Sequence, residues 1–100
     1  MTAKFDVYAL AQGRGYLIDC QANLLSDLNT RFVVPLLPLE EAPKPAARLN
    51  PVFDIAGEPH VMVTQFAATV PVNELQARAT SLAEQEITVG NALDMLISGF

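Results

Sequence analysis

The stretch VFDIAGEPHVMVTQF, residues 52–66, decides how this chain folds. Phe53 and Ile55 alternate along it with Asp54, a period of two residues that is typical of a strand with one buried face. The turn-prone residues 56–59 interrupt the pattern, and a second apolar run follows them. The stretch therefore predicts two strands joined by a short turn.

Strand patterns also lie on both sides of this stretch. KFDVYAL and GYLIDCQ, separated by the turn-prone AQGRG, predict a β-hairpin from Ala3 to Gln21. RFVVPLL predicts a third strand, and Pro35 within it lacks a backbone donor, which indicates an edge or a bulge. AATVPV predicts a short last strand, and the proline-rich PLEEAPKPAARLNP before Val52 predicts a loop within one domain rather than a linker.

The carboxyl-terminal segment has the period of a helix. Ser81 followed three residues later by Glu84 fits a capping box, which predicts a helix from Ser81 onward. Apolar residues beyond this start share one side of the helix: Val89, Leu93, Leu96, Ile97 and Phe100. Another side is polar and carries Asn91, Asp94 and Ser98. Strands followed by one terminal helix predict a mostly-β or α+β domain spanning residues 1–100, best matched by a small SH3-like antiparallel barrel with a long C-terminal helix.

Composition excludes several classes of protein. The chain is 51% hydrophobic and 17% charged, so it has enough apolar material for a core and is not a disordered segment. Its formal net charge is −5, and its six cations are scattered: Lys4, Arg14, Arg31, Lys44, Arg48 and Arg78. Nucleic-acid affinity depends on clustered cations that neutralise phosphates. We therefore expect no direct binding of nucleic acid.

The sequence also bears on location. Lys4 and Asp6 interrupt the amino-terminal segment where a signal peptide needs a continuous apolar run, and no stretch reaches the ~20 apolar residues that span a bilayer. These features predict a cytoplasmic protein that does not bind membranes. Cys20 is the single cysteine, so it forms neither an internal disulfide nor a zinc site and is expected to be buried.

Catalytic and cofactor motifs are also lacking. His60 is the single histidine and has no second ligand at metal spacing, so a solvent-facing or locally hydrogen-bonded role is expected. Glu40 and Glu41 are adjacent in a proline-rich loop, where a solvated surface is the simpler interpretation. The glycines of QGRG predict a turn, because no helix follows to bind a phosphate. The sequence predicts a protein that is not an enzyme and needs no cofactor or metal.

One loop carries an unusual apolar pair. In ANLLSDL, Leu24 and Leu25 are adjacent and framed by polar residues. Adjacent residues of an extended strand point to opposite faces, so both cannot face one core. Two interpretations follow: a small apolar cluster that caps the barrel, or an exposed surface kept for a partner.

The order of these motifs resembles the CcdB family, the toxins of toxin–antitoxin modules. The segments that carry the resemblance are YLIDCQANLL, RFVVPLLP, LNPVFDIAGEPHVMVTQFAATVPVNEL and NALDMLISGF, which cover almost the whole chain. The resemblance implies an SH3-like barrel with a long C-terminal helix and a symmetric homodimer. It also implies binding to the DNA gyrase A subunit, which traps the DNA cleavage complex, and neutralisation by a CcdA-like antitoxin whose disordered tail wraps the dimer.

The resemblance further implies which residues meet gyrase. They are Leu24, Leu25, Asp94, Ser98, Gly99 and Phe100. The leucine pair stands where the family has an apolar loop pair, and Gly99 keeps the family glycine. Phe100 replaces a terminal aliphatic residue, and Asp94 stands where Asn is usual. Ser98 stands where toxic members carry a Trp, and Ser replaces neither the area nor the stacking of that aromatic anchor.

Three hypotheses follow for the function. The chain is a gyrase-poisoning toxin whose contacts have been rebuilt around Phe100 and the leucine pair. Alternatively, it is a CcdB-fold homologue with weak or lost gyrase activity that pairs with an antitoxin and represses its operon. A MazF/Kid-type endoribonuclease is the third hypothesis, disfavoured by one histidine, scattered cations and a pI near 4.5.

Overall fold

The structure of the protein is a computed structural model, and it describes residues 3–99. Phe100, which the resemblance assigns to the gyrase contact, lies outside the described residues. Within them are seven strands: β1 (Asp6–Ala9), β2 (Tyr16–Asp19), β3 (Thr30–Pro38), β4 (Val52–Ile55), β5 (Glu58–Met62), β6 (Ala68–Pro71) and β7 (Arg78–Ser81). A helix, α1 (Glu86–Ser98), follows the last strand.

The strands form one curled sheet in the order β4-β5-β3-β2-β1-β7, and β6 pairs with β3 outside this path. Every pairing is antiparallel. The predicted hairpins β1-β2 and β4-β5 are both present, and the proline-rich segment between β3 and β4 is a loop with one 3-10 turn. The sheet curls into a half-barrel that carries the C-terminal helix, so the predicted fold class is confirmed.

The main core contains residues of both the sheet and the helix. Val89 and Ala92 are the buried residues of α1, and they belong to the same apolar cluster as strand residues Ile18, Leu36 and Met62. A smaller cluster on the other face of β3 is formed by Tyr8, Val33 and Leu75. Cys20 is buried in the main cluster, as predicted, and burial raises the pKa of its thiol to about 12.

Strand β3 lies inside the sheet and its register with β2 is unbroken at Pro35, so the prediction of an edge or a bulge there is wrong. One side of β3 pairs with β2; the other pairs with β6 up to Val33 and with β5 from Leu36. Pro35 lies between these two ladders, and its carbonyl accepts a hydrogen bond from Val63 N at 2.9 Å. A residue without an N–H fits a central strand at the point where its partner changes.

The helix starts later than the sequence predicts. Ser81 is the last residue of β7, and its hydroxyl oxygen accepts a hydrogen bond from Ala83 N at 3.1 Å. Glu84 lies in a 3-10 turn, and α1 begins at Glu86 with no side-chain cap. The prediction of a capping box at Ser81 and Glu84 is therefore wrong. β7 itself was not predicted, because its residues, Arg78 to Ser81, are largely exposed and show no apolar alternation.

The apolar side of α1 is buried at its start and exposed at its end. Val89 is buried and Leu93 packs against the core, whereas Leu96 is 42% and Ile97 is 76% exposed. The sheet of one chain therefore covers the first half of the predicted apolar side. No helix within residues 3–99 combines the length and apolarity that crossing a membrane requires.

Candidate functional site

The loop between β2 and β3, residues 22–29, exposes three leucines; we call it the leucine loop. Leu24 is 93% exposed, Leu25 48% and Leu28 51%. Asn23–Leu25 form a 3-10 turn with no buried residue, and no other residue of the loop is buried either. The interpretation of Leu24 and Leu25 as a cluster capping the barrel is therefore wrong. Leu28 adds a third apolar side chain that the sequence analysis missed, although its spacing from Leu25 in LLSDL was visible.

Hydrogen bonds within the leucine loop close its backbone into successive turns. Leu25 N donates to Ala22 O at 3.0 Å, Ser26 N to Asn23 O at 3.1 Å, and Leu28 N to Leu25 O at 3.1 Å. The loop's end is joined to the segment after β6, because Val72 N donates to Asn29 O at 2.8 Å. The exposed leucines thus stand on a folded turn rather than on an extended strand.

A buried arginine holds the carbonyl oxygens of the loop. The guanidinium of Arg31 donates to Ser26 O at 2.8 Å, to Leu28 O at 3.2 Å and to Thr30 O at 3.0 Å. Its Nε lies 3.6 Å from Asp19 Oδ2, and both side chains are almost completely buried. No sequence pattern indicated this pair, because Asp19 and Arg31 stand on different strands and look like ordinary charged residues.

Two amides complete the attachment of the loop. Gln21 Nε2 donates to Leu25 O at 3.1 Å, while its Oε1 accepts from Phe32 N at 3.0 Å. Asn23 Oδ1 accepts a hydrogen bond from Lys4 N at 2.8 Å, which ties the loop to the segment before β1. Side chains from two directions therefore fix the backbone that presents the leucines.

Asp94, Ser98 and Gly99, which the resemblance also assigns to the gyrase contact, stand at the end of α1, and we call residues 94–99 the helix tip. Asp94 and Ser98 are exposed and lie one turn apart, so they share a face of the helix. Gly99 ends the helix in the left-handed conformation, φ 79°, and its N–H donates to Met95 O at 3.1 Å. Glycine suits this position because side chains disfavour positive φ.

Charged residues cluster elsewhere, at the turn between β1 and β2. The guanidinium of Arg14 contacts the carboxylates of Glu40, Glu41 and Glu58, and all these side chains are largely exposed. The pKa of Glu40 lies below its ordinary value because a backbone N–H and then Arg14 stabilise the carboxylate. Glu40 and Glu41 are thus a solvated surface, as predicted, with a cation among them.

His60 lies in a buried position near this cluster, so the prediction of a solvent-facing residue is wrong and that of a local hydrogen bond is confirmed. Its Nδ1 is 2.9 Å from Glu58 O, and its ring packs edge-on against Tyr16, with ring centroids 5.1 Å apart. In the part of the chain that the structure describes, no three His, Cys, Asp or Glu residues are grouped so that they could hold a metal ion.

Comparison with known families gives a match over nearly the whole chain. A family model described as CcdB protein matches residues 4–99, which is nearly the full length of the chain. The match covers the whole sheet, the leucine loop and the helix, and its last matched residue is Gly99. The resemblance found in the sequence motifs is thereby confirmed: the chain belongs to the CcdB family of toxin–antitoxin gyrase poisons.

Proposed function

We propose that this protein is the toxin of a type II toxin–antitoxin system, that it acts in the cytoplasm, and that it binds the DNA gyrase A subunit. In this role it traps the DNA cleavage complex and is neutralised by a CcdA-like antitoxin. The observation that carries the proposal is the family match over residues 4–99. Such a poison performs no reaction of its own; its binding energy favours one conformation of the target.

The exposed apolar side chains support a function in binding. Isolated apolar residues are common on protein surfaces, but this one short folded loop exposes a patch of three leucines. Leu24 in particular is almost fully exposed on a turn that the buried Arg31 holds in place. This patch is the surface that we assign to the gyrase A subunit, together with Asp94, Ser98, Gly99 and Phe100 at the end of the chain.

The exposed end of α1 supports a homodimer. Ile97 and Leu96 are exposed in the single chain, as is Phe66 in the 3-10 turn Thr64–Phe66. This turn also lies beside α1, and we assign both elements to the region that a second copy covers. A second copy that covers this region would bury apolar area on both chains and bring the two helix tips near the two-fold axis.

Two residues of the helix tip favour a second candidate function. Ser98 stands where toxic family members carry a Trp, and Asp94 adds a negative charge where Asn is usual. Asp94 forms no ion pair within residues 3–99, so its charge faces solvent or a partner. The alternative is therefore a family member with weak or lost activity on gyrase, which acts in antitoxin binding and repression of its operon.

A plasmid cleavage assay with gyrase from the host organism tests the proposal. We expect the wild-type protein to leave linear, cleaved DNA, and we expect Leu24→Ala and Phe100→Ala to lower that yield. Leu39→Ala, which truncates a half-exposed leucine outside the loop, is the control and should behave as the wild type. No cleavage and no binding to the gyrase A subunit, alongside tight binding of a CcdA-like antitoxin, would favour the second candidate.

A further inference from the structure

We propose that the buried Asp19–Arg31 ion pair, together with Gln21, positions the leucine loop and so preforms the surface that binds the target. This inference rests on the proposed function, because it concerns the loop that we assign to gyrase. It goes further by assigning a role to three residues that do not themselves form the exposed surface. They are positioning residues: they act on the target through the loop backbone.

Hydrogen bonds, rather than apolar packing, hold the leucine loop. Residues 22–29 include no buried side chain, so contact with the core does not determine their conformation. The hydrogen bonds from Arg31 and Gln21 reach the carbonyls of Ser26, Leu28 and Leu25. Without them a loop with three exposed leucines could fold back over the sheet and bury its apolar surface.

The buried charges select one backbone conformation of the loop. Asp19 and Arg31 are buried, and burial of two charges is unfavourable unless they pair and satisfy their remaining hydrogen bonds. Here Arg31 also donates to backbone carbonyls of the loop and its junction with β3, and Asp19 Oδ1 accepts from Gln21 N at 3.0 Å. The pair thus specifies one backbone conformation, which apolar residues of similar volume could not do.

An ordered loop binds its partner at a lower entropic cost. Because the loop is already ordered, it loses less conformational entropy when it meets a partner, so the same contacts give a higher affinity. A preformed patch also holds Leu24, Leu25 and Leu28 apart from the core of their own chain. We call the Asp19–Arg31 pair and Gln21 the tether. Loss of the tether should therefore weaken binding of the gyrase A subunit without removing any side chain that touches this subunit.

Two full-length variants and one control test the inference. Arg31→Lys keeps a positive charge but loses the forked donors that reach several carbonyls at once. Gln21→Glu keeps an acceptor for Phe32 N and loses the donor to Leu25 O. Arg14→Lys changes an arginine whose ion pairs lie outside the loop, and it is the matched control.

The first readout is the backbone order parameter of the loop amides, measured by NMR relaxation on the free protein. We expect the order parameters of the Leu25, Ser26 and Leu28 amides to fall from about 0.85 to below about 0.6 in both variants. The order parameters of Val34 and Leu36 in β3 should not change. If Arg31→Lys also lowers the order parameters of β3, the result for the milder variant Gln21→Glu decides whether the inference holds. The inference would be overturned if the order parameters of the loop amides did not change in Gln21→Glu, or if those of loop and core amides fell equally.

The second readout is affinity for the gyrase A subunit by calorimetry. We expect both variants to bind about tenfold more weakly than the wild type and the Arg14→Lys control, since ordering of the loop must then occur on binding. Wild-type affinity in variants whose loop has become mobile would overturn the inference. If the wild-type protein itself does not bind, the proposed function fails, and the order parameters still decide whether the tether orders the loop.

Discussion

The leucine loop and the helix tip both expose apolar residues, but the protein holds them in different ways. The loop has no residue in the core, yet its backbone is fixed by hydrogen bonds that Arg31 and Gln21 donate and one that Asn23 accepts from Lys4 N. The helix tip continues from residues that are packed in the core, and its own last turn carries exposed Leu96 and Ile97. The loop backbone is held within a single chain, whereas the helix tip exposes apolar surface that the proposed homodimer would cover.

This difference indicates how partner binding and assembly are divided between the two regions. A binding loop that is ordered before it meets a partner can be held only by its own chain, and polar tethers do this without covering the leucines. In the proposed homodimer, the helix end would contribute to assembly and to binding at once. Substitutions that change one region at a time should therefore have separable effects on stability, assembly and binding.

The largest expected effect comes from the tether. Arg31→Ala leaves Asp19 buried without its cation, which should lower the free energy of unfolding by about 3–5 kcal/mol. Urea denaturation measures this change. Arg14→Ala removes an arginine with exposed ion pairs and should leave the urea midpoint unchanged within error. Equal midpoints for both variants would show that the buried pair contributes no more than a surface pair.

A smaller effect is expected at the helix tip. Ile97→Asp places a charge on an exposed apolar position of α1 and should raise the dissociation constant of the homodimer by at least about tenfold, or about 1.4 kcal/mol. Sedimentation equilibrium measures the dimer directly. Leu24→Asp makes the same kind of change in the leucine loop and should leave the dimer intact. If it dissociates the dimer equally, the loop belongs to the same interface and the two regions are not distinct.

A still smaller effect separates two glycines of the helix. Gly99 has φ 79° at the C-cap, so Gly99→Ala should lower the free energy of unfolding by about 1 kcal/mol. Gly90 lies inside α1, and a β-carbon added there would meet no atom of the described fold around the helix within 4 Å. Gly90→Ala should therefore raise the free energy of unfolding by about 0.5–1 kcal/mol. Thermal unfolding of the two variants should shift in opposite directions, and a higher unfolding temperature for Gly99→Ala would contradict the assigned cap.

The sequence predicted the parts of the fold that have an apolar period. The two hairpins, β3 and β6 follow from alternation and turn residues, and the body of α1 follows from its helical spacing. β7 was not predicted because its exposed residues carry no such pattern. Ser81 was predicted to cap the helix because Glu84 follows it at the spacing of a capping box. Burial, which decides both cases, is a property of the whole fold.

The candidate site was predictable to a similar degree. Leu24 and Leu25 were found because two adjacent leucines in a polar loop conflict with a single buried face. The Asp19–Arg31 pair was not found, because its residues become neighbours only once β2 and β3 pair in register. The exposure of Ile97 was also missed, since helical spacing identifies an apolar side but not how far the sheet extends beneath it.

The smallest expected change in stability is that of Leu24→Ala. Because Leu24 is 93% exposed and held by no packing, the free energy of unfolding should change by less than about 0.5 kcal/mol. Leu36→Ala, in the fully buried centre of β3, should instead lower it by about 2–5 kcal/mol. Urea denaturation compares the two truncations directly. If Leu24→Ala lowered the free energy of unfolding nearly as much as Leu36→Ala, Leu24 would pack against its own chain. The leucine would then contribute mainly to stability rather than to binding. A negligible loss, combined with weaker binding of the gyrase A subunit, would mean that Leu24 contributes its apolar surface to the partner alone.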